Sequence, residues 1–465
     1  MIAGACRESS PVTNGRGVLL IALDSLRADH LKCAGYDRDT TLELDRLALE
    51  GTRFTHAFSA APQLLPAHAA ILSGCDPSLA RRIFAPGARP TVLSEWALPE
   101  RLPLLAREFL RRGWTTGAFI DHPFISPAYG FSHGFEVFRA LKITPGMRTS
   151  EVGIQGTGAR FQQWLAGLGR GEDWFAYLHL HDLVRTWEQR NEPWDEFFEA
   201  RSELSEVPPI ADAPQVFFAI PRGKWSGGMN TMGKLRSRYD GAIARLDRGL
   251  GKIFAEMRRT GRWENTTVVV TGTFGLGFGE SGLMLESGTL SDADLRVPLI
   301  VRPTASIRHA RAITTGLLVS TVDLAPTLLE LFDLDVPGDM DGVSFARTLR
   351  GEPESRPREY AFASCGIQPG YAVFDGDHCY ERVYPGRVLD ERLRQSWYGD
   401  HGLHEEDLRE VVHVRADTLT GHLDLPPAPL DVTERLRRVG LSWARETYAR
   451  RVRIQESAAG DSEGP

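Results

Sequence analysis

The stretch Gly17–Asp29, GVLLIALDSLRAD, decides the fold of this chain. Its apolar run, Val18 to Leu23, indicates a strand that is buried on both faces, as in the centre of a parallel sheet covered by helices. In such sheets, ligands bind beyond the carboxyl ends of the strands, so a carboxylate at that end is a candidate site residue. Asp24 is this carboxylate, although an Asp at this place can also cap a helix.

Composition and charge narrow the class of protein. The chain has 465 residues, of which 42% are hydrophobic and 25% charged, as in globular proteins. A net charge of -7 argues against nucleic acid as the partner. The N-terminal segment MIAGACRESSPVTNGRG lacks the pattern of a secretion signal, and no apolar run reaches the length of a membrane span. Five cysteines without metal-ligand spacing predict free thiols, and we expect a cytoplasmic location.

Helical and strand patterns alternate along the chain, which predicts a mostly parallel sheet with helices on both faces. Within Ala60–Gly74, Pro66 marks a helix start and Gly74 its end. The other predicted helices are Thr41–Gly51, Leu102–Arg112, Phe161–Leu168, Met232–Thr260 and Thr321–Phe332. The other predicted strands are Trp114–Asp121, Trp174–Asp182, Thr266–Thr271 and Val297–Val301.

The pattern changes twice along the chain and predicts three regions. Residues 1–16 form a loose tail, and residues 17–355 form an α/β domain with an insertion at about 183–230. Residues 356–465 form a smaller subdomain, with short strands at Tyr371–Phe374 and Cys379–Val383 and then a helical tail. The charged segment RLRQSWYGDHGLHEEDLREVV, which begins at Arg392, predicts a solvated helix or a partner-docking element.

Five long segments, in a fixed order, add a resemblance to these patterns. They are LLIALDSLRADHLKCAGYDRDTTLELDRLALEGTRFTHAFSAAP, LAREFLRRGWTTGAFIDHPFISPAYGFSHGFEVF, YDGAIARLDRGLGKIF, LRVPLIVRP and STVDLAPTLLELFDLDVPGDMDGVSFARTLRGE. Over roughly Gly17–Tyr380 the chain resembles the sulfatase branch of the alkaline phosphatase superfamily. The resemblance implies that family's α/β fold, with a mostly parallel sheet, helices on both faces and a small C-terminal α+β subdomain.

The resemblance also implies a site at which most of the family's chemistry is replaced. Family members bind one or two divalent metals and attack an ester with a formylglycine, Ser or Thr. The nucleophile position falls on Leu64, and leucine has no heteroatom with which to attack an ester or bind a metal. The Asp-His pair of the family's metal site falls on Thr273 and Phe274.

A few positions keep polar residues. Asp24 is the surviving metal-ligand position, and Ser25 replaces the acid beside it. His68 falls where the family grips the anion with Arg or His, Glu280 lies in the altered Glu-His-Gly turn, and Glu286 falls near a later His. Because a divalent metal needs several converging ligands, we expect no metal and no other cofactor.

Three hypotheses follow from this comparison. The chain is a catalytically silent sulfatase-like protein that acts as a partner, scaffold or regulatory subunit, for example of an active relative. Alternatively, it is an enzyme with changed chemistry in the old cleft. As a third reading, it is a hydrolase of sulfate or phosphate esters with an atypical site that uses Ca, Mg, Mn or Zn. The candidate cleft residues are Asp24, Ser25, His68, His179, His181, Glu280 and Glu286.

Three histidines carry both a functional and a structural interpretation. His179 and His181 lie two positions apart on a predicted strand, so their side chains share one face and either bind a ligand or form core hydrogen bonds. His68 follows Pro66 on the first helical turn, where an imidazole can meet an anion. The glycine-rich turn GTFGLGFGESG resembles a phosphate loop only loosely, and we assign it no nucleotide role.

Overall fold

An eight-stranded sheet forms the centre of the protein. The computed structural model describes residues 15–80, 96–142, 151–185, 204, 206–208, 210–211, 220–221, 231–279, 284–285, 287–307, 312–352, 358–364, 370–383, 409–414 and 428–460. The strands of this sheet are β1 (Gly17–Asp24), β2 (Thr52–Phe58), β3 (Thr115–Ile120), β4 (Val137–Ala140), β5 (Trp174–Leu180), β8 (Thr266–Phe274), β9 (Leu299–Arg302) and β10 (Ile313–Ser320). Two short strands, β6 (Ile210–Ala211) and β7 (Ile220–Pro221), pair separately.

The sheet has the order β10-β2-β9-β8-β1-β5-β3-β4. Neighbouring strands run parallel except where β9 pairs with β2 and β8. Strand β1 therefore lies inside the sheet, between β8 and β5, and every one of its residues is buried. Its side chains alternate between two hydrophobic cores: Val18, Leu20 and Ala22 contribute to one, and Leu19, Ile21 and Leu23 to the other. The predicted fold class is confirmed.

Helices cover both faces of this sheet. They are α1 (Leu42–Leu49), α2 (Leu64–Ser73), α3 (Leu105–Arg111), α4 (Gly153–Gly167), α5 (Asp182–Arg185), α6 (Met232–Arg259), α7 (Asp292–Leu295), α8 (Leu324–Leu331) and α9 (Ala346–Leu349). Helices α2, α3 and α8 contribute to the first core, and α1, α4 and α6 to the second. None of the described helices combines the length and apolar character that crossing a bilayer requires.

A second, antiparallel sheet follows the first. Its strands are β11 (Ala361–Ser364), β12 (Gly370–Phe374), β13 (His378–Val383) and β14 (Arg409–Val414), in that order. The last helix, α10 (Leu430–Gly460), packs on this sheet through Leu436 and Trp443. The boundaries assigned from sequence to the tail, main domain and subdomain stay predictions.

Several elements differ from the sequence-based predictions. The segment from Arg392 does not end as a helix, because Arg409–Val414 pairs with β13 as a strand. Strands β2, β4 and β10 were not predicted: TRFTHAF in β2 places polar residues at half-buried positions, and a glycine interrupts β10. Strand β8 continues to Phe274, beyond the predicted end at Thr271. Most of the predicted insertion at 183–230 lies outside the described residues.

Candidate functional site

The buried carboxylate of Asp24, at the end of β1, is the centre of the site. Its Oδ1 lies 2.5 Å from the hydroxyl of Thr273 and 3.2 Å from Nε2 of His68. Its Oδ2 lies 2.7 Å from Nε2 of His179 and 2.6 Å from Nδ1 of His181. Each carboxylate oxygen is thus contacted by two side chains of the protein itself.

Parallel strand pairing brings these groups together. In the pairing of β1 with β5, Ala22 lies opposite His179, so the histidines at the end of β5 reach the end of β1. On the other side of β1, the register with β8 shifts after Leu23, and Asp24 lies opposite Phe274, next to Thr273. His68 comes from α2, which packs against β8 and places the fully buried imidazole against the carboxylate.

For His68 and His179, the ring nitrogen that does not face Asp24 makes a second contact, which bears on where the ring carries its proton. The backbone N–H of Asp121 donates to Nδ1 of His179 across 3.4 Å, so Nε2 of His179 carries the proton and donates a hydrogen bond to Asp24. The Tyr177 hydroxyl lies 2.5 Å from Nδ1 of His68. The Asp121 carboxylate accepts the backbone N–H of His181 across 3.1 Å. The cluster therefore presents imidazole N–H groups to a carboxylate.

The electrostatics agree with this arrangement. Burial by itself raises the pKa of Asp24, but the attraction of His179 and the hydrogen bonds from the three histidines hold that pKa well below its usual range. Burial, with a smaller repulsion from His179, lowers the pKa of His68 to about 4. At neutral pH Asp24 is ionised and His68 is neutral, so the pair forms a carboxylate–imidazole hydrogen bond.

The other candidate residues lie apart from this cluster or outside the described chain. Ser25 is buried with φ +60°, and its carbonyl accepts the Tyr239 hydroxyl, but among the described contacts its side chain makes none with Asp24. Leu64 begins α2 and packs against the first hydrophobic core, and Phe274 is buried within that core. Glu280 and Glu286 lie outside the described residues.

Sequence reasoning did not recognise three residues of the cluster as site residues, namely Tyr177, Asp121 and Thr273. Tyr177, His179 and His181 occupy alternate positions of β5, so the period of two that pairs the histidines also points to Tyr177. Asp121 follows the last residue of β3, and a carboxylate at a strand's carboxyl end is the signal that first singled out Asp24. Thr273 was noted only as a replacement for the family's Asp, and its hydroxyl keeps a contact with Asp24.

The donor set can be compared with the divalent metal that the resemblance implies. Asp24, His68 and His179 place one ligand atom each within 4.8 Å of one another. Ca²⁺ and Mg²⁺ prefer oxygen ligands, whereas two imidazoles and one carboxylate suit transition metals such as Zn²⁺. A metal-bound His usually donates its second N–H outward, but here Nδ1 of His179 receives the Asp121 N–H. The described residues therefore do not fit Ca²⁺ or Mg²⁺, and they offer His179 to Zn²⁺ only in the tautomer whose Nε2 carries no proton.

The chain is similar in sequence to known sulfatases. It is 24% identical to mouse steryl-sulfatase over 78% of this chain and 70% of that protein. It is 26% identical to human arylsulfatase A over 74% of this chain and 69% of that protein. A match to the multifunctional alkaline phosphatase superfamily protein PehA of Trinickia caryophylli has 32% identity but spans 26% of this chain and 23% of PehA.

Solved structures share the fold. The phosphonate monoester hydrolase of Agrobacterium radiobacter superposes with a TM-score of 0.66 at 17% identity, covering 94% of this chain and 96% of that one. The phosphonate monoester hydrolase of Silicibacter pomeroyi gives 0.64 at 17% identity, covering 95% and 96%. The family model described as Sulfatase matches residues 16–334, most of the chain. Together with the parallel sheet and the position of Asp24, this match shows that the chain belongs to the sulfatase family of the alkaline phosphatase superfamily.

Proposed function

We propose that this sulfatase-family protein has lost metal-dependent ester hydrolysis and acts as a non-catalytic partner, scaffold or regulatory subunit. The observation that carries the proposal is the Asp24 carboxylate, whose two oxygens are contacted by Thr273, His68, His179 and His181. A carboxylate that accepts hydrogen bonds from these four side chains is stabilised without a cation. Asp24, the family's one surviving acidic ligand position, is thereby hydrogen-bonded to side chains of the protein itself.

The residues at the nucleophile and metal positions support the same proposal. Leu64 packs against the hydrophobic core and has no atom that can attack an ester. Phe274 is 4% exposed and contributes its ring to the same core. Loss of a catalytic nucleophile costs on the order of 10⁶ in rate, or about 8 kcal/mol of barrier. Replacement of buried polar groups by apolar ones removes a desolvation cost, so the fold can persist without the chemistry.

The experiment is hydrolysis of aryl sulfate and aryl phosphate esters by the purified full-length protein, with Mg²⁺, Ca²⁺, Mn²⁺ and Zn²⁺ added separately. An Asp24→Ala variant serves as the control, and the metal content of both proteins is measured by mass spectrometry. We expect no turnover above that of the variant and no stoichiometric metal. Metal-dependent turnover that disappears in Asp24→Ala would show that the protein is a working hydrolase.

We also propose a cytoplasmic protein partner, of which an active relative with the same fold is the first candidate. Without the metal ligands that the family uses, the protein can still act by binding another protein, and we propose that the fold is kept for this binding. Surface plasmon resonance between the purified chain and an active sulfatase-family protein from the same source tests this proposal. A saturable complex supports the proposed role, and the absence of binding at micromolar concentrations argues against this candidate partner.

A second candidate function, an enzyme with changed chemistry, is favoured by the geometry of His181. Its Nδ1 donates to the buried Asp24, its side chain is 13% exposed, and no described residue hydrogen-bonds to its Nε2. A carboxylate that orients an imidazole in this way leaves the second nitrogen available as a general base. Any hydrolysis found in a broader ester screen should then disappear in His181→Gln and persist in Leu64→Ala.

A further inference from the structure

A cavity of about 710 Å³ lies between the end of β10, the start of β11 and the helix α10. Its volume falls within the range of roughly 300 to 1,000 Å³ that is usual for small-molecule sites. Strand β10 is four strand positions away from β1 in the sheet. At about 4.8 Å per strand, the end of β10 lies roughly 19 Å across the sheet from Asp24. The cavity is therefore separate from the cluster around Asp24, and its ligand does not depend on the proposed loss of hydrolysis.

Asp76, which follows the helix α2, places a carboxyl group in the lining of this cavity. The residue is 7% exposed, and its Oδ1 accepts the backbone N–H of Ser78 across 2.9 Å. Its Oδ2 accepts no hydrogen bond from the described residues, and it is not one of the polar atoms that are buried without a partner, so it is open to the cavity. A nearly buried carboxylate that can accept further hydrogen bonds points to a ligand that donates them.

Two of the three guanidinium groups in the lining are already paired with carboxylates. Arg450 donates to Asp341, which also lines the cavity. Arg358 donates to Asp323, which is buried outside the lining. The positive charge of these two arginines is therefore neutralised within the protein.

The remaining charged groups of the lining carry an excess of negative charge. Within the part of the chain that the structure describes, three carboxylates and one guanidinium of the lining have no ion-pair partner: Asp76, Glu359, Glu446 and Arg453. A cleft with an excess of one charge attracts ligands of the opposite charge. The lining therefore favours a cation over an anion, and Asp76 is the least exposed of the three carboxylates.

Aromatic side chains form one wall of the cavity. The rings of Phe362 and Trp443 are stacked, with centroids 4.9 Å apart and an interplanar angle of 5°. Tyr360 lines the cavity beside them, and Leu79 and Val322 add aliphatic surface. Aromatic side chains attract cations and also bury apolar surface. The wall therefore suits a cation that carries an apolar body.

The environment of Asp76 makes its charge costly in the absence of a ligand. Burial raises the pKa of Asp76 to about 6 against the hydrogen bonds from Ser78, and repulsion from Asp341 adds to the shift while Arg450 opposes it. A cation that binds beside Asp76 would stabilise the ionised carboxylate. Its affinity should then depend on the ionisation of this group.

We propose that this cavity binds an organic cation whose protonated amine donates a hydrogen bond to Oδ2 of Asp76. The apolar body of the ligand lies against the wall formed by Phe362 and Trp443. Glu359 and Glu446, at the surface, attract the cation and contribute less to affinity, because solvent screens them.

The test is isothermal titration calorimetry of the full-length protein at pH 7 with 2-naphthylmethylammonium, the uncharged 2-naphthylmethanol and the anion 2-naphthoate. The three probes share one ring system, so their differences report on the head group. We expect 1:1 binding of the ammonium, about tenfold tighter than that of the alcohol, since a hydrogen bond to a charged group is worth about one such factor. No binding of the ammonium up to about 1 mM, equal affinity for the alcohol, or tighter binding of the anion would overturn the proposal.

Matched variants locate the binding. Asp76→Asn keeps the Oδ1 that accepts the Ser78 N–H and replaces Oδ2 with an amide nitrogen, which is a donor. We expect the affinity of this variant for the ammonium to be about tenfold weaker. Asp333→Asn is the control, because Asp333 is 91% exposed and lies outside the lining, and it should leave the affinity unchanged. Unchanged binding of the ammonium in Asp76→Asn would overturn the proposal.

A pH series on the unmodified protein keeps the test decisive if Asp76→Asn fails to fold. The carboxyl of Asp76 takes up its proton between pH 7 and pH 5 while the amine of the ligand stays protonated, so the affinity for the ammonium should fall about tenfold over this range. An affinity that is constant over this range would overturn the proposal. The folded variant Asp76→Asn should show a smaller change, since it retains the other charged groups of the lining: Asp341, Arg358, Glu359, Glu446, Arg450 and Arg453.

Discussion

The hydroxyl of Thr273 lies 2.5 Å from Oδ1 of Asp24, where the resemblance to active family members places a second acidic residue. A carboxylate at this distance from Asp24 would repel it in a site without water or a cation. The threonine instead donates a hydrogen bond. The hydroxyl of Thr273 therefore stabilises the charge of Asp24 at a place where a second carboxylate would destabilise it.

The first prediction concerns this exchange. Thr273→Asp should lower the free energy of unfolding by about 3 kcal/mol relative to the uncharged control Thr273→Asn, because two carboxylates then share one buried site. Added Ca²⁺ or Mg²⁺ should raise the melting temperature of Thr273→Asp but not that of the unmodified protein. Thermal unfolding with and without EDTA measures both effects. A cation-dependent melting temperature in the unmodified protein would contradict the proposed loss of the metal site.

The second prediction concerns Asp24 itself. In Asp24→Asn, the amide nitrogen replaces an acceptor of imidazole protons with a donor, and the buried charge is lost. We expect the free energy of unfolding to fall by about 3 kcal/mol, as when one partner of a buried charged network is removed. Asp333→Asn is the control, because Asp333 is 91% exposed and should change stability by less than about 0.5 kcal/mol. Urea unfolding at pH 7 compares the two variants, and equal small effects would mean that the network contributes little.

The third prediction is a pH dependence that arises from His68. Its pKa in the folded protein is about 4, below the value of 6.5 of an unperturbed histidine. Between these pH values the unfolded chain binds the proton and the folded protein does not, so stability falls as the pH is lowered from 6.5 to 4. The full contribution is about 3 kcal/mol.

The variant His68→Gln isolates this contribution. Burial raises the pKa of Asp76 and of Asp294 to about 6, so these acids contribute the opposite slope, with stability lost as the pH rises from about 4 to 6. Both acids remain in the variant, and their effect cancels when the two proteins are compared. We expect the difference in unfolding free energy between the protein and His68→Gln to shrink as the pH falls. A difference that is constant with pH would mean that His68 titrates alike in the folded and unfolded states.

The fourth prediction tests the hydroxyl behind His68. Tyr177→Phe removes the group 2.5 Å from Nδ1 of His68 and leaves the size of the side chain nearly unchanged. The unsatisfied imidazole nitrogen should cost about 1 to 2 kcal/mol of stability. Tyr448→Phe is the matched control, since Tyr448 is 57% exposed. Chemical unfolding measures both, and equal stabilities for the two variants would mean that the hydroxyl does not stabilise His68.

The sequence alone predicted the elements whose hydrophobic pattern is strong. Strand β1 carries an unbroken apolar run, and α6 repeats apolar residues along one face over Met232–Arg259, so both were located nearly to the residue. Strand β2 was missed because its alternation of buried and half-buried residues breaks at His56. Strand β14 was taken for a helix because the charged sequence around it carries no pattern of its own, and pairing with β13 decides its conformation.

For the candidate site, too, the sequence predicts some features and not others. The residue types at Leu64 and Phe274 already exclude the family's chemistry. A side chain without a heteroatom cannot attack an ester or bind a metal, whatever its surroundings. The paired positions of His179 and His181 follow from the period of a strand. The contacts of these histidines with Asp24 and His68 do not, because they join residues up to 157 positions apart in the chain.

By itself, then, the amino-acid sequence determined the fold class and the family, because hydrophobic period is a local property. It also determined which residue types stand at the family's nucleophile and metal positions, because side-chain chemistry is local too. Only the tertiary structure decided that the carboxylate of Asp24 accepts hydrogen bonds from Thr273 and three histidines, because strand register and helix packing set those distances.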